Sequence, residues 1–419
     1  MTTSDRSAPT RVFVWIWLPG ATGPVVCGRL DEVTPDYHTF TYGRSYLARP
    51  DAVPLYLPEL PLGTGPIRPL GSLSVAGCLR DAGPDAWGQR VILARRVGHL
   101  DAASDTGDLS LLTYLLESSG SDRVGALDFQ DSPAAYAAAR NRTATLAQLQ
   151  DAARMLEEGR PLPEPLVEAL TRGTSIGGAR PKALLEDHGR HVIAKFSSTA
   201  DVRPVVKAEA VGMDLARRVG LDVAGSELVS CAGRDVLLVE RFDRTTVPGQ
   251  RRLLVSALTI LGLDEFLGAR HGSYAELAEQ IRARFTDPDE TLRELFARIV
   301  FNVCISNTDD HPRNHAAFWD GAQLTLSPAY DLCPQPRSGE TAAQAMAIGS
   351  NGERDSTLTT CRAAAAVYHL STAQAQDIID AQVSAIGEQW TDAAEECALT
   401  HAERDQLWQR QILNRGIFY

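Results

Sequence analysis

Residues 287–315 constrain the chain most. Leu292, Leu295, Phe296, Ile299, Val300 and Val303 recur at three- and four-residue spacing, which puts them on one face of a helix. Asp287 stands where an N-cap belongs, Pro288 suits the first helical position, and Glu290 completes a capping-box spacing. The pattern predicts a rigid rod with one buried stripe. The rod runs into "NTDDHPRNH" (residues 307–315), where Pro312 forbids simple helical continuation. A loop dense in acids and amides is thereby carried to a fixed place.

The segment C-terminal to the loop is equally specific. "FWDGAQLTL" is a hairpin signature, with Asp320-Gly321 supplying the turn residues. Folding back, that hairpin is expected to bring Asp331 near Asn314. The order Asp309, four residues, Asn314, hairpin, Asp331 is what a phosphoryl-transfer loop of protein-kinase type needs. One carboxylate accepts a hydroxyl proton, while an amide and a second carboxylate hold Mg²⁺. His311 and His315 have the spacing of a metal-binding pair, but Pro312 spoils the helix such a pair requires.

The parts a nucleotide needs lie upstream. In "SIGGARPK", Gly177 and Gly178 let backbone amides approach phosphate. Lys195 closes the predicted strand "HVIAK", where a kinase keeps its phosphate-binding lysine. Glu209, on a predicted helix over 203–219 with Val206, Ala210, Met213 and Ala216 on one side, is positioned to pair with it. "VERFDR" follows a strand and precedes the helical half, as a hinge would. Taken singly, each feature reads as an ordinary turn, strand end or helix surface. The ordered series is hard to dismiss.

Elsewhere the pattern is coarser. Residues 11 to about 70 carry short β-rich runs such as "RVFVWIWLPG", bounded by Gly and Pro. "PDAWGQRVILARR" is expected to be helical, as are residues 108–170 and most of the chain after about 255. At 419 residues, more than one subdomain is expected. A net charge of −12 argues against broad unaided contact with DNA. Seven scattered cysteines without a C-x-x-C read as reduced thiols, and "MTTSDRSAPTR" has no leader pattern. The expected setting is cytoplasmic, without membrane contact.

On "SIGGARPK", "VIAKF", "KAEAVGMDLARRVGL", "LLVERFDR", "NTDDHPRNH" and "SPAYDL", the chain resembles the HipA family of serine/threonine kinases, the toxins of HipA/HipB toxin–antitoxin systems. "YGRSYLARPDAVPLYLPELPL" and "CLRDAGPDAWGQR" resemble that family's N-terminal subdomain. The resemblance implies an α+β, bilobal protein-kinase-like fold. Its divisions would be a flexible stretch over 1–11, a β-rich N-terminal subdomain over 12–115, an N-lobe over 116–245 and a mostly helical C-lobe over 246–419.

It further implies ATP- and Mg²⁺-dependent phosphorylation of a protein, by family analogy an aminoacyl-tRNA synthetase, with growth arrest. A HipB-like helix-turn-helix antitoxin would neutralise the kinase, and DNA would be reached only through that antitoxin. By motif, Asp309 is the base, Asn314 and Asp331 hold metal, and Lys195 binds phosphate. Gly177, Gly178, Ala179, Arg180, Pro181 and Lys182 form the phosphate loop. Glu240, Arg241 and Phe242 form the hinge, with Asp243 following. His311, Pro312, Arg313, Asn314 and Tyr330 line the nucleotide site, and Ser175 is the autophosphorylation position. Two other readings stay open: a small-molecule kinase of aminoglycoside-phosphotransferase type, and a catalytically inactive co-repressor.

Overall fold

The chain's computed structural model describes residues 8–98, 104–118, 122–138, 144–171, 180–187, 189–264, 268 and 271–419. It divides into two units, one built from residues 1–199, 243–255 and 319–322, the other from 200–242, 256–318 and 323–419. The secondary structure is α+β, with antiparallel sheet pairing in the first unit.

In the first unit, β1 (Arg11–Ile16), β2 (Val25–Thr34), β3 (Tyr37–Tyr42) and β4 (Leu127–Gln130) form a sheet in the order β3-β2-β1-β4. β1 is central, which is why its sequence is apolar at nearly every position rather than alternating. β4 corrects the expectation of an all-helical 108–170. Its four residues are all buried, and Asp128 is held by the buried Arg123 at 2.6 Å. Flanking it are the helices Leu111–Glu117, Leu146–Glu157 and Glu164–Thr171. Lys182–Asp187 and Arg190–Phe196 form an antiparallel hairpin that pairs Lys182 with Lys195.

The helix Ala86–Val97 explains "PDAWGQR". Asp85 caps its N-terminus by accepting from the Gly88 amide at 2.6 Å, and it also pairs with the buried Lys182 ammonium at 3.0 Å. The Trp87 indole donates to the Lys182 carbonyl at 3.0 Å. One short motif thus caps a helix and grips a strand.

The second unit contains the helix Val205–Arg218, the hairpin Ser226–Cys231/Arg234–Glu240, and the helices Tyr274–Arg284, Pro288–Cys304 and Thr372–Glu396. The predicted rod is present, with every residue of its stripe fully buried. Its start differs from expectation, because Asp287 occupies the N-cap without a side-chain cap bond. Pro288 has no N–H to satisfy, and the first-turn acids Asp289 and Glu290 favour the helix dipole. Val205–Arg218 is buried around most of its girth rather than on one side. Within the mostly helical stretch expected after about 255, residues 327–357 form no regular helix or strand. Among the described residues, no helix is long and apolar enough to cross a membrane.

Candidate active site

Past Cys304, the rod ends at Ser306, whose φ of 55° turns the chain sharply. Two adjacent aspartates come next, and the fold separates them. Asp310 is buried and accepts from the Asn302 amide at 2.7 Å, from His315 Nε2 at 2.8 Å and from the Tyr274 hydroxyl. Burial, and then the Asp310 carboxylate, push the Tyr274 phenol well above its ordinary value, so it stays a donor. Asn307 donates to Asn302 at 3.0 Å and closes the network. With Asp310 turned inward and held at three points, Asp309 is left exposed.

The Asp309 carboxyl is held above the usual carboxylate range. Solvent reaches the side chain without surrounding it, and that partial desolvation is the main cause; His311 opposes it, and the Asp331 and Asp310 carboxylates add to it. A carboxylate shifted this way is a better proton acceptor near neutral pH than a solvated one.

The elements between Asn314 and Asp331 turn the chain back on itself. Pro312–Asn314 is a single 3-10 turn, closed by the Asn314 amide on the His311 carbonyl at 2.8 Å. The strands Ala316–Trp319 and Leu324–Leu326 fold back as expected, and Gly321 takes φ 105° at the turn. The Tyr330 hydroxyl then donates to the Arg313 carbonyl at 2.6 Å, so Asn314 and Asp331 each follow one end of that bond. Asp331 has φ 61°, a left-handed conformation that is costly for a residue with a β-carbon and is concentrated at functional sites.

A close approach of backbones fixes Asp331. A β-carbon on Gly212, inside the helix Val205–Arg218, would lie 2.0 Å from the Leu332 carbonyl oxygen. Glycine in a helix costs about 1 kcal/mol against alanine, but here only glycine fits. Gly212→Ala should therefore destabilise by about 1–3 kcal/mol despite its better helix propensity. A denaturation midpoint at or above wild type would show that the contact is not tight.

The remaining sequence-predicted residues fall into three groups. Phe242 packs against Phe318 and Tyr330 at ring-centroid distances of 5.9 and 5.6 Å, on the loop that carries Asn314 and Asp331. In the same unit, the Glu240 amide donates to the Gly225 carbonyl at 2.7 Å, and Glu209 and Arg241 are buried. Within the first unit lie Arg180, Pro181, Lys182, Lys195 and Asp243. There Lys182 is paired with Asp85, while Asp243 accepts from the Gly125 amide at 2.7 Å and from Arg244 at 2.8 Å. Ser175, Gly177, Gly178 and Ala179 lie outside the described residues.

Sequence reasoning passed over Tyr274, Asn302, Asp310 and the interlock at Gly212. Two signals were available. Asn302 is a polar residue three positions after Ile299 on the apolar stripe, and Gly212 sits in the middle of a predicted helix, where glycine is unfavourable.

A family model described as the HipA-like C-terminal domain matches residues 174–390. The chain belongs to the HipA family. The serine/threonine-protein kinase toxin HipA of Shewanella oneidensis is 26% identical over 183 residues, which span 38% of this chain and 42% of that relative. A chain in the solved complex of HipA, HipB and operator DNA from the Shewanella oneidensis MR-1 toxin–antitoxin system is similar in fold. The TM-score is 0.67 at 20% identity, over 94% of this HipA-family chain and 95% of that one.

Proposed function

We propose that the chain is a HipA-type kinase that transfers the ATP γ-phosphate to a serine or threonine of a cellular protein and thereby arrests growth. The observation that carries the reading is the pair at 309–310. One aspartate reaches solvent because its neighbour is turned inward and held by three donors, and its own carboxyl is raised, chiefly by partial desolvation.

The donor set fits Mg²⁺-nucleotide. Asn314 and Asp331 offer an amide oxygen and a carboxylate, hard oxygens of the kind Mg²⁺ prefers, and such sites need only one or two protein ligands beside phosphates and water. Bound Mg-ATP supplies the electrophilic phosphorus and its leaving group. Asp309 orients the attacking hydroxyl and accepts its proton. Lys195 is the residue proposed to neutralise phosphate charge, with Glu209 as its partner, and residues 177–182 would cradle the phosphates. The strand end at Glu240 and Arg241, together with Phe242, would hold the adenine.

A helix-turn-helix antitoxin of HipB type is the proposed inhibitor, by analogy with the Shewanella complex. The chain's charge of −12 fits DNA contact made through such a partner. An aminoacyl-tRNA synthetase is the proposed target, and Ser175 the proposed autophosphorylation site.

The metal assignment gives a direct test. Asp331→Ala should weaken Mg-ATP binding by at least roughly tenfold, while Asp320→Ala, in the hairpin turn, should leave it unchanged. Calorimetry separates the two, and equal binding by wild type and Asp331→Ala would remove Asp331 from the metal set.

A further inference from the structure

In the second unit, an open cleft of about 320 Å³ is lined by Arg203, Arg337 and Arg410 with Pro336, Gln406 and Gln411, and among the described residues no acidic side chain lines it. Three arginines with no acid among the lining residues make the cleft locally basic on a chain of net charge −12. By contrast, Arg217 and Arg218 of the same unit pair with Asp214, and Arg298 pairs with Glu294.

The three cleft arginines are instead held by neutral acceptors or left open. Arg203 donates to the Gln335 side chain at 3.0 Å. Arg337 donates from Nε to the Glu340 carbonyl at 3.1 Å and from Nη2 to the Ser356 carbonyl at 3.4 Å, while its buried Nη1 has no partner. Arg410 is exposed, and among the described residues none of the three forms an ion pair. Carbonyl and amide acceptors fix a guanidinium without neutralising it. They leave concentrated positive charge with spare N–H donors, the chemistry that recognises a phosphate oxyanion.

The cleft is also tied to the catalytic loop. The Ser306 hydroxyl donates to the Gln411 carbonyl at 2.6 Å, and the Ser306 carbonyl accepts from the Gln335 amide at 3.0 Å. The Leu413 amide donates to the Cys304 carbonyl at 2.7 Å. Gln409 and Leu413, flanking Arg410 and Gln411, have positive φ of 56° and 48°, as Ser306 does at 55°. A strained backbone bearing cleft residues thus meets a strained turn that starts the Asp309 loop.

We propose that this cleft docks a phosphate-type dianion, and that its occupancy is registered at Ser306 and so at the catalytic loop. A cleft near 300 Å³ is at the small end of ligand sites, which suits one phosphorylated side chain or one free phosphate.

The test uses the full chain without nucleotide, titrated by calorimetry with inorganic phosphate and, separately, with a phosphoserine peptide and its unphosphorylated twin. The phosphopeptide should bind and the twin should not. Arg410→Gln, an exposed change that spares folding, should weaken binding about tenfold, and adding Arg337→Gln should weaken it further. Tighter binding of the phosphopeptide identifies a phosphorylated side chain as the occupant. Equal binding of inorganic phosphate identifies the free ion, and either outcome supports the site. Binding should persist in Asp331→Ala, whatever becomes of the kinase reading, and amide exchange at Ser306 and Asn307 should slow on saturation. No binding of either probe, binding unaffected by the arginine variants, or loss in Asp331→Ala would overturn the site. Unchanged exchange at Ser306 and Asn307 would overturn its link to the loop.

Discussion

Asp309→Asn is expected to abolish phosphoryl transfer while leaving the fold intact. The amide matches the carboxylate in shape and hydrogen-bonding reach, but it cannot accept a proton. The loss of rate should therefore be roughly 10²-fold or more. Because Asp309 is exposed and the loop is held through Asp310, the variant should unfold at the same denaturant concentration as wild type and still bind Mg-ATP. Growth arrest on overexpression should disappear. Full toxicity with Asp309→Asn would sink the kinase reading, and a destabilised variant would show that the side chain is structural.

The neighbouring residue should behave in the opposite way. Asp310→Ala strips a common acceptor from the Tyr274 hydroxyl, the Asn302 amide and His315 Nε2, all in the buried interior. Each orphaned donor keeps its desolvation cost, and the total should reach about 3–5 kcal/mol. Activity should fall as well, through a displaced loop rather than through chemistry. A conservative Asp310→Asn, which retains an acceptor oxygen, should recover part of both. If Asp310→Ala melts like wild type but loses all transfer, Asp310 rather than Asp309 is the working carboxylate. Equilibrium unfolding and a phosphotransfer assay, run on both aspartate variants, distinguish the two assignments.

Much of this site was legible because its signals are periodic or obligatory. A stripe at Leu292, Leu295, Phe296, Ile299, Val300 and Val303 admits only a helix, and Asp320-Gly321 between β-formers admits little but a tight turn. Sequence alone could not show why two identical neighbours differ. Their roles depend on Tyr274 and Asn302 reaching the loop from two helices, and such contacts leave no local mark. β4 was hidden for another reason. Four residues, "LDFQ", are too few to set a period against helical surroundings, and pairing with β1 decides their conformation. In Val205–Arg218, Glu209 and Asp214 are both buried, Asp214 against Arg217 and Arg218. Partners supplied by the fold can make a charged position an interior one.

The bond between Ser306 and Gln411 joins residues 105 positions apart. On the ribosome, the Asp309 loop is therefore made long before the segment that braces its first turn. A nascent chain that already contains Asp309, Asn314 and Asp331 still lacks the Gln411 carbonyl for Ser306 and the Leu413 amide for Cys304. Domains fold as units once their contacts exist, so the order of synthesis sets a delay between making the Asp309 loop and bracing it.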